Sequence, residues 1–269
     1  MDNKALIEEI KNIVREASKI MLNEAFTIDE KSGHSDLVTS NDIAVQKFLE
    51  EKLTLLINNS AFFGEEGKKI PSDAEYVWVV DPIDGTANYS RGLGLSVISV
   101  ALLKNGKRFM GVVYNPYKEE MFHAVLGEGA YLNNEVIHVS DRPLEKSMLC
   151  SAMCLYEKRY AKPCFNIIER IYERSDDLRR LGTAALELCY VACGRAELYF
   201  EIRLSPWDYG AGTLIINEAG GFSEVMFNDD ITLEKPAGVI AANSKENFEF
   251  IKNVVYDEIK EEPVFGVQL

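Results

Sequence analysis

The spacing of apolar residues near the N-terminus predicts two helices. One apolar stripe predicts an amphipathic helix that runs to about Glu24 and packs on a core by one face. A second helical pattern begins near Asn41, and the polar residues 31–36 between the two patterns predict a mobile loop. The first stripe consists of Leu6, Ile10, Ile13, Ala17 and Ile20, and the second pattern carries Ile43, Phe48, Leu49 and Leu53.

From residue 62 to residue 139 the pattern changes to short apolar runs with strand character. The pairs Asn105-Gly106 and Asn133-Asn134 predict hairpin-type turns between such runs. This half of the chain therefore predicts a mostly antiparallel sheet with helices. The predicted strands cover residues 76–80, 96–103, 110–114 and 121–124.

After Arg142-Pro143, strand and helix patterns alternate, which favours a second sheet covered by helices. No internal repeat, low-complexity tract or long linker interrupts the sequence. We therefore expect one domain built from two subdomains, residues 1–142 and residues 143–269, with a site assembled between them. The strand patterns cover 148–153, 178–181, 196–201, 222–225 and 239–242, and the helical patterns cover 165–174, 183–193, 208–219 and a last helix from 245.

Charge and length limit the classes of function. The chain has 269 residues, 47% of them hydrophobic, and a formal net charge of −14. This length can bury one large core or two fused halves. The negative charge disfavours unassisted binding to nucleic acid or to an anionic membrane. An anionic substrate would therefore have to be recruited by metal ions.

Cysteine usage and the absence of long apolar segments favour a cytoplasmic protein. The five cysteines are odd in number and form no C-x-x-C pair, so we expect small buried residues in a reducing compartment. No apolar core follows the N-terminal Met1, and the longest near-apolar stretch, residues 93–103, is too short to span a bilayer. The cysteines are Cys150, Cys154, Cys164, Cys189 and Cys193.

Residues 77–89, V-W-V-V-D-P-I-D-G-T-A-N-Y, carry the most informative chemistry. An apolar run delivers Asp81 and Asp84 onto a turn in which the intervening proline has no N–H to donate and Gly85 can take positive φ. The backbone N–H groups that follow are a favourable place for a phosphate. Carboxylates that lie beside a bound phosphate need cations between the two kinds of anion. The alternative is an Asx-type turn whose aspartates bond only the local backbone.

Two familiar acidic loops do not fit this motif. An EF-hand needs acidic residues at every second position before its glycine, whereas Pro82 and Ile83 fill that interval. A haloacid-dehalogenase type of phosphatase needs two aspartates two positions apart, whereas Asp81 and Asp84 are three apart. Another arrangement must organise this site.

Two further segments end in acids at the ends of predicted elements. Residues 61–67, A-F-F-G-E-E-G, end an apolar run in Glu65 and Glu66, and residues 205–212, S-P-W-D-Y-G-A-G, place Asp208 before a helix start. Taken alone, these acids could form a solvated turn and a helix cap. In this order, the three motifs closely resemble the inositol monophosphatase family of magnesium-dependent phosphatases, with its pattern G-E-E, D-P-I-D-G-T-x-N and W-D-x-x-x-G. The resemblance covers nearly the whole chain.

The resemblance implies an α+β or α/β fold, a layered αβαβα sandwich of the inositol monophosphatase and fructose-1,6-bisphosphatase type. It also implies two Mg²⁺ ions, with a third and weaker ion near Glu65 in some family members. Oxygen ligands suit Mg²⁺, and the absence of a nearby histidine or cysteine argues against zinc. By the resemblance, Glu65, Asp81 and the carbonyl of Ile83 hold the first ion, and Asp81, Asp84 and Asp208 hold the second.

The same resemblance implies that a phosphate monoester is hydrolysed by a water molecule that two metal ions activate, without a protein nucleophile. Glu65 and Thr86 would orient and deprotonate this water, and Asp84 would be essential for the same step. The N–H groups of Gly85 and Thr86 would hold the phosphate. We also expect inhibition by Li⁺ at the second metal site, and a homodimer.

The alcohol part of the substrate would lie against Ala184, Glu201 and Asp208. Glu201 aligns with an acid that bonds inositol hydroxyls, which favours inositol monophosphate or a related polyol or sugar phosphate. Arg203 stands where the closest inositol phosphatase patterns commonly have glycine, so it could grip a second phosphate or simply face solvent. Fructose-1,6-bisphosphate and 3′-phosphoadenosine 5′-phosphate therefore remain alternative substrates.

Three further acidic and basic positions stay open. Lys31 matches a family lysine on a mobile loop near the metals, or it is a solvated lysine. Asp42 aligns with an acid of the third metal region, or it complements a helix dipole from the first turn. Glu66 accompanies Glu65 in the first motif. The three histidines stand away from the acidic motifs and are expected not to be ligands; they are His34, His123 and His138.

A function of a different class is also open. Some bacterial members of the family act as non-catalytic partners of transcription and ribosome-assembly complexes. Every metal ligand that the resemblance implies is present in this sequence. We therefore expect an enzyme rather than an interaction protein with a vestigial site.

Overall fold

A computed structural model describes residues 2–23, 25–33, 36–67, 74–153, 158–228 and 230–259. The helices are α1 (Asn3–Met21), α2 (Ser40–Leu56), α3 (Thr86–Tyr89), α4 (Ala161–Tyr172), α5 (Ala184–Ala192), α6 (Pro206–Glu218) and α7 (Lys245–Ile259). The strands are β1 (Ile28–Gly33), β2 (Asp36–Thr39), β3 (Ala61–Gly64), β4 (Tyr76–Asp84), β5 (Val97–Lys104), β6 (Lys107–Asn115), β7 (Glu120–Val125), β8 (Ala130–Leu132), β9 (Glu135–Val136), β10 (Met148–Ser151), β11 (Asp177–Arg179), β12 (Leu198–Leu204), β13 (Phe222–Val225) and β14 (Ala237–Ala242).

Strands β3 to β9 form a seven-stranded sheet in which spatial order follows chain order. Strand β3 lies parallel to β4, and every other neighbouring pair in the sheet is antiparallel. Asn105 (φ 51°) and Gly106 (φ 75°) make the tight turn between β5 and β6. The predicted antiparallel sheet and this turn are therefore confirmed.

The second sheet has five strands in the order β11-β10-β12-β14-β13. Strand β10 is parallel to both of its neighbours, β11 and β12. Strand β14 is antiparallel to both β12 and β13. The predicted alternation of strands and helices in the second half therefore does produce a helix-covered sheet, but a mixed one.

Alternating side chains along each central strand separate the molecule into layers. On β4, Trp78 and Val80 belong to the core beneath α1 and α2, whereas Val77 and Val79 belong to the core that includes α5 and α6. The five-stranded sheet closes this second core and buries its other face against α4 and α7. Because successive strand residues face opposite sides, one strand serves two cores. The predicted αβαβα sandwich is confirmed.

Several predicted boundaries were wrong for physical reasons. The predicted loop over residues 31–36 was wrong at residues 31–33, which belong to β1, and at residue 36, which begins β2. Residues 34 and 35 lie outside the described residues. The hairpin was missed because β1 is mostly polar and shows no apolar alternation. Helix α1 ends at Met21 rather than near Glu24, and β4 continues past Val80 to Asp84.

The described cysteines are mostly buried, as expected. Cys150, Cys164 and Cys189 are buried and Cys193 is half-buried. Cys154 lies outside the described residues. Within the ranges given above, no helix combines the length and the apolar character needed to cross a membrane.

Candidate active site

A β-bulge at the end of β4 places two aspartates on the same side of the sheet. Asp81 pairs with Ser99 and Asp84 pairs with Val97, so three steps along β4 match only two steps along β5. In a regular strand, residues three apart face opposite sides, and the extra residue of a bulge removes this difference. Pro82 is tolerated there because a bulge leaves one residue outside the ladder.

The start of α6 brings a third aspartate to this pair. Asp208 Oδ2 accepts the backbone N–H of Ser205 at 2.7 Å, within a capping box at the helix N-terminus. One carboxylate oxygen each from Asp81, Asp84 and Asp208 lie within 4.8 Å of one another. Asp208 therefore serves both as a helix-capping residue and as a member of an acidic cluster. We call Asp81, Asp84 and Asp208 the aspartate cluster.

The electrostatics of the aspartate cluster suit a cation. Burial, followed by the nearby Glu65 and Asp84 carboxylates, raises the pKa of Asp81 well above its ordinary value. Burial and the Asp208 carboxylate likewise raise the pKa of Asp84, against an N–H from Ala185 that donates to Asp84 Oδ2 at 2.7 Å. A hard cation relieves this repulsion, and the oxygen-only donor set fits Mg²⁺.

Glu65 follows β3, which is parallel to β4, and lines the same cleft as the aspartate cluster. Lys31 Nζ donates to Glu65 Oε1 at 2.8 Å and also bonds Glu66. Burial lowers the pKa of Lys31, but the two glutamates outweigh burial and leave it above its ordinary value. The lysine is therefore a bonded neighbour of the site and not a solvated loop residue.

Gln46 on α2 fixes the turn that carries the two glutamates. Its Oε1 accepts the N–H of Glu66 at 2.8 Å, and its Nε2 donates to the Glu66 carbonyl. A Cβ on Gly64 would lie 2.2 Å from Gln46 Oε1, so only glycine fits at the end of β3. This close packing sets the direction in which Glu65 leaves the strand.

Thr86 lies between two oxygen atoms of the site. Its Oγ1 is 3.1 Å from the Ile83 carbonyl and 3.3 Å from Asp42 Oδ1. Asp42 is buried at the start of α2, where its Oδ2 accepts the N–H of Thr39 at 2.8 Å in a capping box. Burial raises the pKa of Asp42 to about 6. Asp42 therefore lies in the first turn of α2, as one interpretation expects, and it also contacts Thr86. Its place in a third metal region stays a prediction.

Gly85 adopts the left-handed conformation, with φ of 88°, that the sequence predicts for it. A Cβ at this position would lie 2.4 Å from Thr183 Oγ1 and 3.0 Å from the Leu95 carbonyl oxygen. Short helix α3 follows directly, with Gly85 as its N-cap. The N–H groups at the start of a helix lack intrahelical partners, so those of Gly85 and Thr86 suit a phosphate group.

A cleft of about 310 Å³ joins the acidic residues to residues of the second half. Ala184, Glu201 and Arg203 line it, as does Arg180, which sequence analysis missed. The predicted metal ligands and substrate residues therefore border one cleft. The predicted residues that line it are Glu65, Asp81, Ile83, Asp84, Gly85, Thr86, Ala184, Glu201, Arg203 and Asp208.

Glu201 is a buried acid in the wall of this cleft, and it is only 8% exposed. The hydroxyl of Tyr199 donates to Glu201 Oε2 at 3.0 Å. Burial, then the Glu187 and Asp208 carboxylates, raises the pKa of Glu201 well above its ordinary value. One oxygen of Glu201 therefore has a partner within β12.

Residues that hold the site in place were the ones that sequence analysis overlooked. Asn88 closes the D-P-I-D-G-T-x-N motif but had no assigned role, and Glu187 is hidden in the apolar pattern of α5. Gln46 and Arg180 belong to no motif. A buried acid between apolar neighbours, as in Ala184-Ala185-Leu186-Glu187-Leu188, is the one signal that could have found Glu187.

Neither of the two histidines that the structure describes belongs to the aspartate cluster. His123 is buried, its Nε2 is 3.0 Å from the Asn133 carbonyl oxygen, and burial lowers its pKa to about 4. His138 is exposed. His34 lies outside the described residues.

Comparison with known proteins agrees with this geometry. The family model described as the inositol monophosphatase family matches residues 2–260. The chain is similar to an inositol-1-monophosphatase of Bacillus subtilis, with 34% identity over 90% of this chain and 94% of that protein. It is also similar to the Nus factor SuhB of Salmonella typhimurium, with 37% identity over 71% of this chain and 72% of that protein.

A solved structure shows the same fold. The IMPase of Thermotoga maritima is 30% identical and superposes with a TM-score of 0.82 over 96% of this chain and 99% of that chain. The match to the family model extends across all three acidic motifs. The chain therefore belongs to the inositol monophosphatase family.

Proposed function

We propose that this protein is a Mg²⁺-dependent phosphate monoester hydrolase that acts on inositol monophosphate or a related polyol or sugar phosphate. Its family and its structural neighbours indicate a phosphatase. The observation that carries the proposal is the aspartate cluster, whose carboxylate oxygens approach within 4.8 Å of one another inside a cleft. Such a group of acids is costly to bury unless a cation binds to it.

The proposal includes two cation sites. Glu65, Asp81 and the Ile83 carbonyl would hold one ion, and the aspartate cluster would hold the other, with Asp81 shared. Bound Mg²⁺ would lower the pKa of the attacking water and offset the charge that develops on the leaving oxygen. The N–H of Ala185 fixes Asp84 through Oδ2, which leaves Oδ1 for an ion.

The remaining side chains orient the reactants. The hydroxyl of Thr86 donates a hydrogen bond to the Ile83 carbonyl or to Asp42 Oδ1, so its lone pairs can accept a hydrogen bond from the attacking water and orient it. Glu65 would take the proton that this water loses. The N–H groups of Gly85 and Thr86 would hold the phosphate.

Several residues that line the cleft favour a hydroxyl-rich alcohol. Glu201 Oε2 already accepts from Tyr199, which leaves Oε1 to accept substrate hydroxyls. Ala184 presents only a methyl group and leaves room for a ring. Arg180 and Arg203 add positive charge to the same cleft. An alcohol with several hydroxyl groups can use the Oε1 atom of Glu201, the space beside Ala184 and the positive charge of the two arginines.

The test is phosphate release by the purified protein from three substrates: inositol-1-phosphate, fructose-1,6-bisphosphate and 3′-phosphoadenosine 5′-phosphate. Each kcat/KM is measured across a Mg²⁺ titration. We expect release that requires Mg²⁺ and is most efficient with inositol-1-phosphate. Absence of release from all three substrates at every Mg²⁺ concentration would overturn the proposal.

The relative that is named a Nus factor makes a non-catalytic role the alternative that this assay must separate. A net charge of −14 disfavours direct contact with nucleic acid, so such a role would act through a protein partner. Turnover with Mg²⁺ counts against it. A protein that binds such a partner but releases no phosphate would support it.

A further inference from the structure

The connection between β11 and α5 forms one wall of the cleft. Residues 181–183, which we call the clamped loop, lie between Arg180 and Ala184, both of which line the cleft. Gly182 adopts the left-handed conformation, with φ of 77°. The position of this loop therefore decides where Arg180 and Ala184 meet a substrate.

Glu187 holds the N–H groups of the clamped loop. This residue is fully buried on α5, and its side chain reaches back past the N-terminus of the helix. Its Oε1 accepts the N–H of Leu181 at 2.5 Å and lies 3.4 Å from the N of Gly182. Its Oε2 has no hydrogen-bond partner among the residues that the structure describes.

Asn88 holds the carbonyl groups of the same loop. Its Nδ2 lies 2.7 Å from the Leu181 carbonyl oxygen, 3.3 Å from the Gly182 carbonyl oxygen and 3.1 Å from Thr183 Oγ1. It also lies 2.9 Å from the Leu95 carbonyl oxygen. The two hydrogens of Asn88 Nδ2 can serve two of these acceptors, of which the Leu181 carbonyl oxygen is the nearest. The loop is therefore held through N–H groups by one side chain and through a carbonyl group by another.

The clamped loop packs directly on the turn that carries the acids. Thr183 Oγ1 donates to the Leu95 carbonyl, and a Cβ on Gly85 would lie only 2.4 Å from Thr183 Oγ1. Ala185 lies two residues after the loop, in the first turn of α5, and donates its N–H to Asp84. No spare room separates the two segments, so a shift of the loop must change the shape of the cleft.

We propose that Glu187 and Asn88 are positioning residues that act as one unit, holding residues 181–183 against the Gly85 turn so that Arg180 and Ala184 meet the substrate. This inference rests on the proposed function for its kinetic readout, but its structural readout does not need activity. Neither residue touches the substrate in this account.

The hydrogen bonds of Glu187 differ from those of a residue that only caps α5. Thr183, the N-cap of α5, makes no capping hydrogen bond with its side chain. The acceptor from α5 instead reaches the two residues before the cap, which belong to the wall of the cleft. Burial raises the pKa of Glu187 to about 7, against the two N–H groups of the loop. A buried acid is a costly choice for capping alone.

The test compares Glu187→Leu with Glu187→Gln. Leucine keeps the volume but removes the acceptor, whereas glutamine keeps an oxygen that can accept the same N–H groups. For Glu187→Leu we expect KM for inositol-1-phosphate to rise about tenfold and kcat to change less than threefold, because a misplaced wall weakens substrate positioning. Glu187→Gln should stay within about twofold of the wild type on both constants.

Glu218→Leu is the matched control. Glu218 also holds two backbone N–H groups of a loop, those of Gly127 at 2.9 Å and Gly129 at 3.0 Å, but neither loop nor acid lines the cleft. Its loss should leave KM unchanged. An equal rise of KM in Glu218→Leu and Glu187→Leu would overturn the proposal, since the effect would then follow general destabilisation.

Backbone hydrogen exchange supplies the readout that does not depend on turnover. In Glu187→Leu, amides of residues 181–182 should lose protection, while Glu187→Gln should keep it. If Glu187→Leu does not fold, Asn88→Ala is measured with the same two readouts. Exchange at residues 181–182 that matches the wild type in the folded variant would overturn the proposal, even if the wild type releases no phosphate.

A double-mutant cycle tests whether the two residues act as one unit. Asn88→Ala and Glu187→Leu together should raise KM no more than the worse single variant, because the loop is already released. Fully additive effects would show two independent contacts and would contradict the proposal. A wild type without phosphatase activity would instead refute the proposed function and leave the exchange result to decide on the clamped loop.

Discussion

Two groups of buried acids in this molecule differ in what surrounds them. Glu197, just before β12, is 1% exposed and has a partner for each oxygen: Arg142 Nη1 at 2.7 Å and Ser140 Oγ at 2.9 Å reach Oε1, and the Met148 N–H at 2.7 Å reaches Oε2. Asp81 and Asp84 are 2% and 7% exposed, but their nearest charged neighbours are other carboxylates.

The difference separates a structural acid from a functional one. Arg142 compensates the charge of Glu197. The hydrogen bonds of Glu197 hold Ser140, Arg142 and Met148 against the residue that precedes β12. In the aspartate cluster, the described residues supply N–H groups to Asp81, Asp84 and Asp208, and the lysine of the site bonds Glu65 and Glu66 instead. Buried carboxylates that lie close to other carboxylates, as Asp81 and Asp84 do, suit the binding of a cation.

The largest expected effect comes from removing one charge of the cluster. Asp84→Asn should lower kcat/KM for inositol-1-phosphate about a thousandfold, since it removes a ligand charge with little change in size. The fold should survive, as circular dichroism would show. Turnover near the wild-type value at limiting Mg²⁺ would exclude Asp84 as a direct ligand.

The matching change at the structural acid should reverse the pattern. Glu197→Ala leaves Met148 N–H, Ser140 and Arg142 without their acceptor, so the free energy of unfolding should fall by about 3 kcal/mol. Denaturant titration measures this loss. Turnover per folded molecule should be retained, and a loss of kcat with unchanged stability would erase the distinction between the two groups.

Glu187 lies between these extremes, because only one of its oxygens has a partner among the described residues. Its folded pKa of about 7 lies above the ordinary 4.5, so its protonated form stabilises the fold at low pH. This contribution is present below about pH 4.5 and is lost as the pH rises through 7, a change of about 3 kcal/mol. Unfolding measured from pH 4 to pH 8 should show it in the wild type and not in Glu187→Gln.

The smallest expected effect concerns Arg203, which lines the cleft beside Glu201. Arg203→Ala should raise KM for fructose-1,6-bisphosphate about tenfold, because a charge-assisted hydrogen bond to a second phosphate would be lost. Turnover of inositol-1-phosphate should hardly change. Equal effects on both substrates, or none on either, would remove Arg203 from the account of specificity.

Local patterns predicted the layers and the acidic motifs well because apolar alternation and turn residues act over a few positions. Strands β4 to β7 of the seven-stranded sheet and the positive φ of Gly85 are of this kind. The polar hairpin β1–β2 has no such pattern. The predicted strand ends at residue 80, before Asp81 and Pro82, because a bulge cannot be seen in one strand alone.

Long-range partners explain the rest of what the sequence could not predict. Lys31 meets Glu65, Asn88 meets Leu181, and Glu187 meets the loop before its own helix only after the chain has folded. Motifs show which residues do the chemistry. The residues that hold them in place are distinguished by burial and partners, which composition does not show.

Thermal unfolding of the wild type and Asp84→Asn, with and without Mg²⁺, tests the central claim most directly. At a Mg²⁺ concentration of 100 times Kd, the wild type should gain about 2.7 kcal/mol of stability. Asp84→Asn should gain much less, and without Mg²⁺ it should be at least as stable as the wild type, because a buried repulsion is removed. An equal gain from Mg²⁺ in both proteins, or none in either, would contradict the claim that the aspartate cluster is a cation site.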